Sequence, residues 1–187
     1  MTLNWTNELA DQLDWHWQQH LRPRLDGLAD EEYLWEPVDG AWNLRPREES
    51  RTKMAAGAGP LVLDFEYPEP SPAPVTTIAW RIGHLIVGLF GTRVANHFGG
   101  APVDYATIEW TPTAKDALAM LDDLYAAWMA GVRGLSDDDL AKPVGPSEGS
   151  FAEFPYAALV LHIHREAIHH GAEILLLRDL YRWQEGR

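Results

Sequence analysis

The 187-residue chain contains no cysteine. That excludes disulfide cross-links, a protein thiol nucleophile and every zinc site built on thiolates, so any metal site must draw on histidine and carboxylate. Basic residues are scarce as well, 15 Lys and Arg against 28 Asp and Glu, for a formal net charge of -13. A surface of that sign repels phosphate backbones and anionic lipid heads, so neither a nucleic acid nor a membrane is expected as a partner. No stretch offers about 18 uninterrupted apolar residues, the length a membrane-spanning helix needs. The opening MTLNWTNELADQLDW has neither a basic n-region nor an apolar h-region, so a secretory signal is not expected and a cytoplasmic location is. No glycine-rich phosphate loop follows a strand, and neither G-x-S-x-G nor H-E-x-x-H occurs.

What is present suits a single globular domain spanning residues 1–187. Hydrophobic residues make up 46% of the chain, enough to form a core, and they include nine tryptophans whose large apolar surfaces belong in that core or in a pocket wall. Apolar residues recur at helical spacing in four long segments. Residues 4–21 carry Leu9, Leu13, Trp17 and His20 on one stripe, and Pro23 ends the segment. Residues 77–98 are apolar on several faces, as in a buried helix, with Thr76 or Thr77 as cap and Gly99-Gly100 as the stop. Residues 113–134 open with Thr113 and Asp116 in capping-box spacing, and residues 155–182 follow Pro155. Asp30 is expected to cap a short turn before Trp35. Residues 36–75 hold seven prolines, which forbid a long helix there. One extended piece, LVLDFEY, is expected within them, with no strand to pair with it. The expected fold is all-α: a four-helix bundle with a long proline-rich crossover between the first two helices.

Four of the eight histidines lie in the run LHIHREAIHH. Glu166 and His170 are four apart and share a helix face with Leu159, Ile163, Ile174 and Leu177, so both point inward. A buried unpaired carboxylate costs several kcal/mol. A divalent cation satisfies both groups at once; an arginine beside Glu166 and an ordinary hydrogen bond to His170 would do so too. His162, four residues before Glu166, is a further candidate, whereas His164 and His169 point elsewhere, to surface or supporting roles. The third ligand must come from another helix. His84, in WRIGHL on the buried second helix, is the best placed; His16 and His20, four apart on the first helix, are its rivals. His97, at a helix end, suits a C-terminal cap. Three protein ligands leave coordination positions open, which favours a catalytic over a purely structural ion.

With TTIAWRIGHLIVGLFGTRVANHFGG, LVLHIHREAIHHGAEILLLRDLY and the earlier HLRPRLDGLADEEYLWEPVDGAW, most of the chain resembles the DinB/YfiT-like superfamily of metal-binding helical bundles. The resemblance implies one histidine on the second long helix and two ligands four apart on the last, which here are His84, Glu166 and His170. Glu-xxx-His in place of the commoner His-xxx-His is similar to the mycothiol-dependent maleylpyruvate isomerases and related thiol S-transferases. It thereby implies a zinc- or nickel-like ion, a mycothiol-like small-molecule thiol, an electrophile as second substrate, and often a homodimer. Arg81 is then a candidate for a carboxylate end of the thiol, or for a salt bridge to Glu166 or Glu173, and Trp80 and Tyr181 for the pocket wall or the core. Two other functions fit the same residues: a metallohydrolase with Glu173 as base, and a non-catalytic binding or stress protein.

Overall fold

A computed structural model of the chain describes residues 3–186. Helix α1 spans Trp5–His16, with the Asn4 side chain accepting from the Asn7 amide, and continues through a π turn, Trp17–Leu21. A short turn, Arg22–Leu25, contains Pro23 and leads to α2, Asp30–Tyr33. Asp30 does not cap its own turn as expected. Its Oδ1 accepts the Ala114 amide at 2.8 Å and so satisfies the first turn of a helix 84 residues away.

The proline-rich connection corrects the expectation of an unpaired extended piece. Strands β1 (Leu44–Pro46) and β2 (Leu61–Leu63) pair antiparallel, with Leu44 opposite Leu63 and Pro46 opposite Leu61. Each is only three residues long, so no alternating pattern announces it. Much of the ordering comes from Asp64, almost fully buried, whose carboxylate accepts from Arg45 Nε at 2.6 Å, Ser50 Oγ at 3.2 Å and the Asn43 amide at 3.2 Å. The Arg47 guanidinium adds bonds to the Gly57 and Gly59 carbonyls.

The second long helix begins where Thr77 accepts the Trp80 amide and ends at Gly99, whose φ of +71° suits glycine. It is built in three parts: α3 (Ile78–His84), a π turn (Leu85–Gly91) and α4 (Thr92–Phe98). Helix α5 (Ala114–Arg133) is capped by Thr113 as expected. Helix α6 (Asp137–Leu140) opens with a reciprocal Ser136–Asp139 capping box, and α7 (Tyr156–Glu185) follows Pro155.

The protein is therefore mostly helical with one small two-stranded sheet. α1 packs on α5 and α7, and α3 with its π turn packs on the same two helices. Between them lie Leu13, Trp17, Ile82, Phe90, Trp128 and Ile163, each almost or wholly removed from solvent. Burial of each such side chain contributes about 1.5–3 kcal/mol. Trp17 stacks on Tyr125 with ring centroids 3.9 Å apart. Six of the nine tryptophans are buried or half-buried; Trp5, Trp15 and Trp183 are exposed. Among the described residues no helix is long and apolar enough to cross a membrane.

Candidate functional site

His84 is the last residue of α3, immediately before the π turn, and His170 lies on the inner stripe of α7. Contact between these helices brings the two rings edge to face, centroids 4.8 Å apart and 88° between planes. Each imidazole has its Nδ1 already engaged. That of His84 lies 3.0 Å from the Tyr105 hydroxyl. That of His170 lies 2.7 Å from Glu173 Oε2 and 3.2 Å from Arg81 Nη1, and Arg81 closes the triangle by an ion pair to the same Glu173 oxygen at 3.1 Å. The Nε2 atoms remain. On that side of His170 stands Glu166, Oε2 to Nε2 3.7 Å, too long for a hydrogen bond. The structure thus sets His84 against His170 across two helices, with Glu166 beside His170; Glu166 is half-buried, and its Oε1 accepts from Arg165 Nε at 3.3 Å.

Burial pushes the His84 imidazolium down to about 4; the neighbouring His170 and Arg81 charges add to the fall and Glu166 opposes it. His84 is neutral at pH 7, the form that ligates a metal. Burial also lowers Arg81, against the pull of Glu173. Of the two answers open for Arg81, the contact observed is the salt bridge to Glu173. Among the described residues the group with metal-ligand spacing is one that shares His170: ligand atoms of His169, His170 and Glu173 all lie within 4.8 Å of one another, with His169 exposed.

Beside His84 opens a cavity of about 280 Å³ walled by Ala56, Leu63, Phe65, Trp80, Tyr105 and His84 itself. Trp80 stacks on His84, centroids 5.7 Å apart, and is held by its indole N–H to the Asp64 carbonyl at 2.8 Å. The π turn and Gly88 create the room: a Cβ on Gly88 would sit 2.6 Å from the Tyr105 hydroxyl and 2.9 Å from His84 Nδ1. π turns inside α-helices are frequent at functional sites.

The remaining histidines fall elsewhere. His162 is exposed and bonds Arg165 at 2.7 Å, with Glu166 Oε1 3.7 Å away. His16 and His20 stack on each other, centroids 5.9 Å apart, with His16 set against Gly171; His84, not this pair, has the ring contact with His170. His164 corrects the expectation of a surface or supporting role. It is fully buried, accepts the Trp128 indole N–H at 3.0 Å, and burial lowers it to about 4. His97 is not a helix cap: its Nε2 pairs with buried Glu148 at 2.9 Å. Tyr181 packs edge-on against Trp35. Tyr105 and the crossover wall were not foreseen from the sequence. The one available signal was Gly88, a glycine inside an otherwise helical apolar run.

No curated protein and no solved structure matches the chain. A family model, described as DinB superfamily, matches residues 48–174, a stretch that includes β2, His84 and the LHIHREAIHH run through Glu173. With well over half of its length matched, the chain belongs to the DinB superfamily.

Proposed function

We propose that the chain is a one-domain four-helix bundle of the cytoplasm that holds a zinc- or nickel-like divalent ion through His84, Glu166 and His170 and carries out a thiol-dependent S-transfer or isomerisation. The observation that carries this reading is the pair of facing imidazoles from different helices, each with Nδ1 occupied, and with Glu166 3.7 Å from His170 Nε2. Two imidazoles and one carboxylate form a donor set that fits such an ion, and neutral His84 fits it as well. When bound, the ion would lower the pKa of a small-molecule thiol and hold it as the nucleophilic thiolate near neutral pH.

The protein's own groups prepare the site. Glu173 fixes the tautomer and tilt of His170, as carboxylates commonly do for ligating histidines. Arg81 holds Glu173 in turn. Trp80 braces the His84 ring and, with Phe65 and Leu63, keeps water from one side of the reacting groups. Because Arg81 is paired with Glu173, a carboxylate end of a mycothiol-like thiol would be read by Arg81 only as a shared partner. Hydrolysis with Glu173 as base gains no support here, since both Arg81 and His170 already occupy Glu173 Oε2.

The inner set is preferred over His169, His170 and Glu173 because a cation on the latter would sit against the Arg81 guanidinium and need an exposed histidine. Metal analysis of the purified protein and its variants tests the choice. About one ion per chain should co-purify, His84→Ala and Glu166→Ala should lose it, and His169→Ala should keep it. Turnover of monochlorobimane with mycothiol should stop on chelation. The proposal fails if no ion is retained or no thiol supports turnover above background. Size-exclusion chromatography with light scattering tests the homodimer that the family resemblance implies.

A further inference from the structure

The cavity beside His84 has an almost wholly apolar lining, and its polar groups are already committed. The carboxylate of Asp64, next to β2, is taken by Arg45, Ser50 and the Asn43 amide, and its carbonyl by the Trp80 indole. His84 is directed to the ion in the reading above, on which this inference rests. That leaves the hydroxyl of Tyr105, a lining residue that keeps 36% of its surface in solvent.

The direction of one hydrogen bond decides what that hydroxyl can do. If His84 gives the Nε2 lone pair to a cation, its proton must reside on Nδ1. The 3.0 Å contact then runs from His84 Nδ1–H to the Tyr105 oxygen. The phenol is the acceptor, and its own hydrogen is free to be donated. Among the described residues His84 is the one side chain bonded to it, and the Gly88 backbone bonds it in the sense of a donor, which leaves the hydrogen uncommitted. Gly88 lets the hydroxyl stand this close to the ring, since any Cβ there would collide with both partners.

We propose that Tyr105 is a positioning and specificity residue, fixing the ligating tautomer of His84 and donating its hydroxyl hydrogen to a carbonyl oxygen on a ring-sized, otherwise apolar electrophile bound between Trp80, Phe65 and Leu63. The volume of about 280 Å³ suits one aromatic or alicyclic ring and a short substituent. A multiply charged substrate finds no counter-charge on these walls.

The test uses zinc-loaded full-length protein and two probes of one shape, acetophenone and ethylbenzene, with binding measured by ligand-observed NMR and zinc by metal analysis. The wild type should bind acetophenone about tenfold more tightly than ethylbenzene, the discrimination typical of one hydrogen bond. Tyr105→Phe, at saturating zinc, should bring the two within about twofold while leaving ethylbenzene binding unchanged, a result that a merely structural role would not give. The same variant should weaken zinc affinity about tenfold, as loss of a ligand's supporting partner does. Ala56→Leu, which fills the cavity away from the ion, should weaken both probes and spare zinc. The inference is overturned if Tyr105→Phe keeps the carbonyl preference, if Ala56→Leu leaves both affinities intact, or if zinc-loaded wild type binds neither probe. Failure of the wild type to retain zinc overturns the metal reading itself and takes the tautomer assignment with it.

Discussion

Glu173 is a single carboxylate with three partners, Arg81 and His170 on Oε2 and His169 3.5 Å from Oε1, and its value can be measured apart from the proposed ligands themselves. Glu173→Gln keeps the shape and loses the charge. It should weaken zinc binding 10- to 100-fold, roughly the cost of removing a supporting carboxylate, in competition titrations against a chromophoric chelator. His164 makes a different prediction. Its folded-state value of about 4 lies below the 6.5 of an ordinary histidine because burial disfavours the charge, with the Leu9 backbone opposing. Above pH 6.5 neither state is protonated and His164 contributes no slope. Between about 6.5 and 4 only the unfolded state binds the proton, so stability falls as pH falls, by about 1.4 kcal/mol per pH unit, and the effect levels off below 4. Urea denaturation in EDTA across that interval should show the slope, and His164→Gln, which can still accept from Trp128, should flatten it. That Glu166 sits beside His170 was readable in the sequence because a polar pair four apart interrupts an apolar stripe; that Glu166 stays half-buried, with Arg165 on it, was not. His164 was misread because α7 is buried on a second stripe too, with Val160, Ala167 and Leu175 around it, a consequence of packing against α1 as well as α3.

Elements are joined here by contacts that no local pattern reveals. The clearest is Arg178 on α7, almost fully buried, whose Nε meets Glu32 Oε1 of α2 at 2.9 Å while its other nitrogens bond the Arg24 and Asp26 carbonyls. This guanidinium ties α7 to the turn after α1. Arg178→Met leaves buried Glu32 with only the longer contact to Arg182, 3.9 Å away, and should cost about 3 kcal/mol, read as a lower urea midpoint. Adding Glu32→Leu in the same chain should recover much of that loss. The long helices were legible in their starts and stops because caps are local: Thr77, Thr113 and Gly99 act within one turn of their own helices. The π turn after His84 and the paired strands were not. The first depends on what packs against the helix. The second depends on two three-residue pieces meeting across 14 intervening residues.

For the whole molecule, a ligand that binds only the folded state raises stability with the logarithm of its free concentration once that exceeds Kd. Zinc at about 100 times its Kd should add about 2.7 kcal/mol, equivalent to roughly 5–10 °C in Tm for a chain of this size, and EDTA should reverse the shift. His84→Ala should show no such response in the same thermal scan. The contrast separates specific coordination from the loose attraction that a net charge of -13 exerts on any divalent cation. The proposed ligands and one part of the cavity wall also come from different stretches of chain. His84, Glu166 and His170 stand on two rigid helices, whereas Ala56, Leu63 and Phe65 belong to the crossover, which is folded by its own hydrogen bonds around Asp64. On the proposed function, that part of the lining is separable from the ligands, whereas Trp80 and Tyr105, both in contact with His84, are not. A chimera that borrows the 50–67 segment from a relative would meet an unaltered metal with a new lining, and its diversity of substrates could be explored without touching a single coordinating side chain.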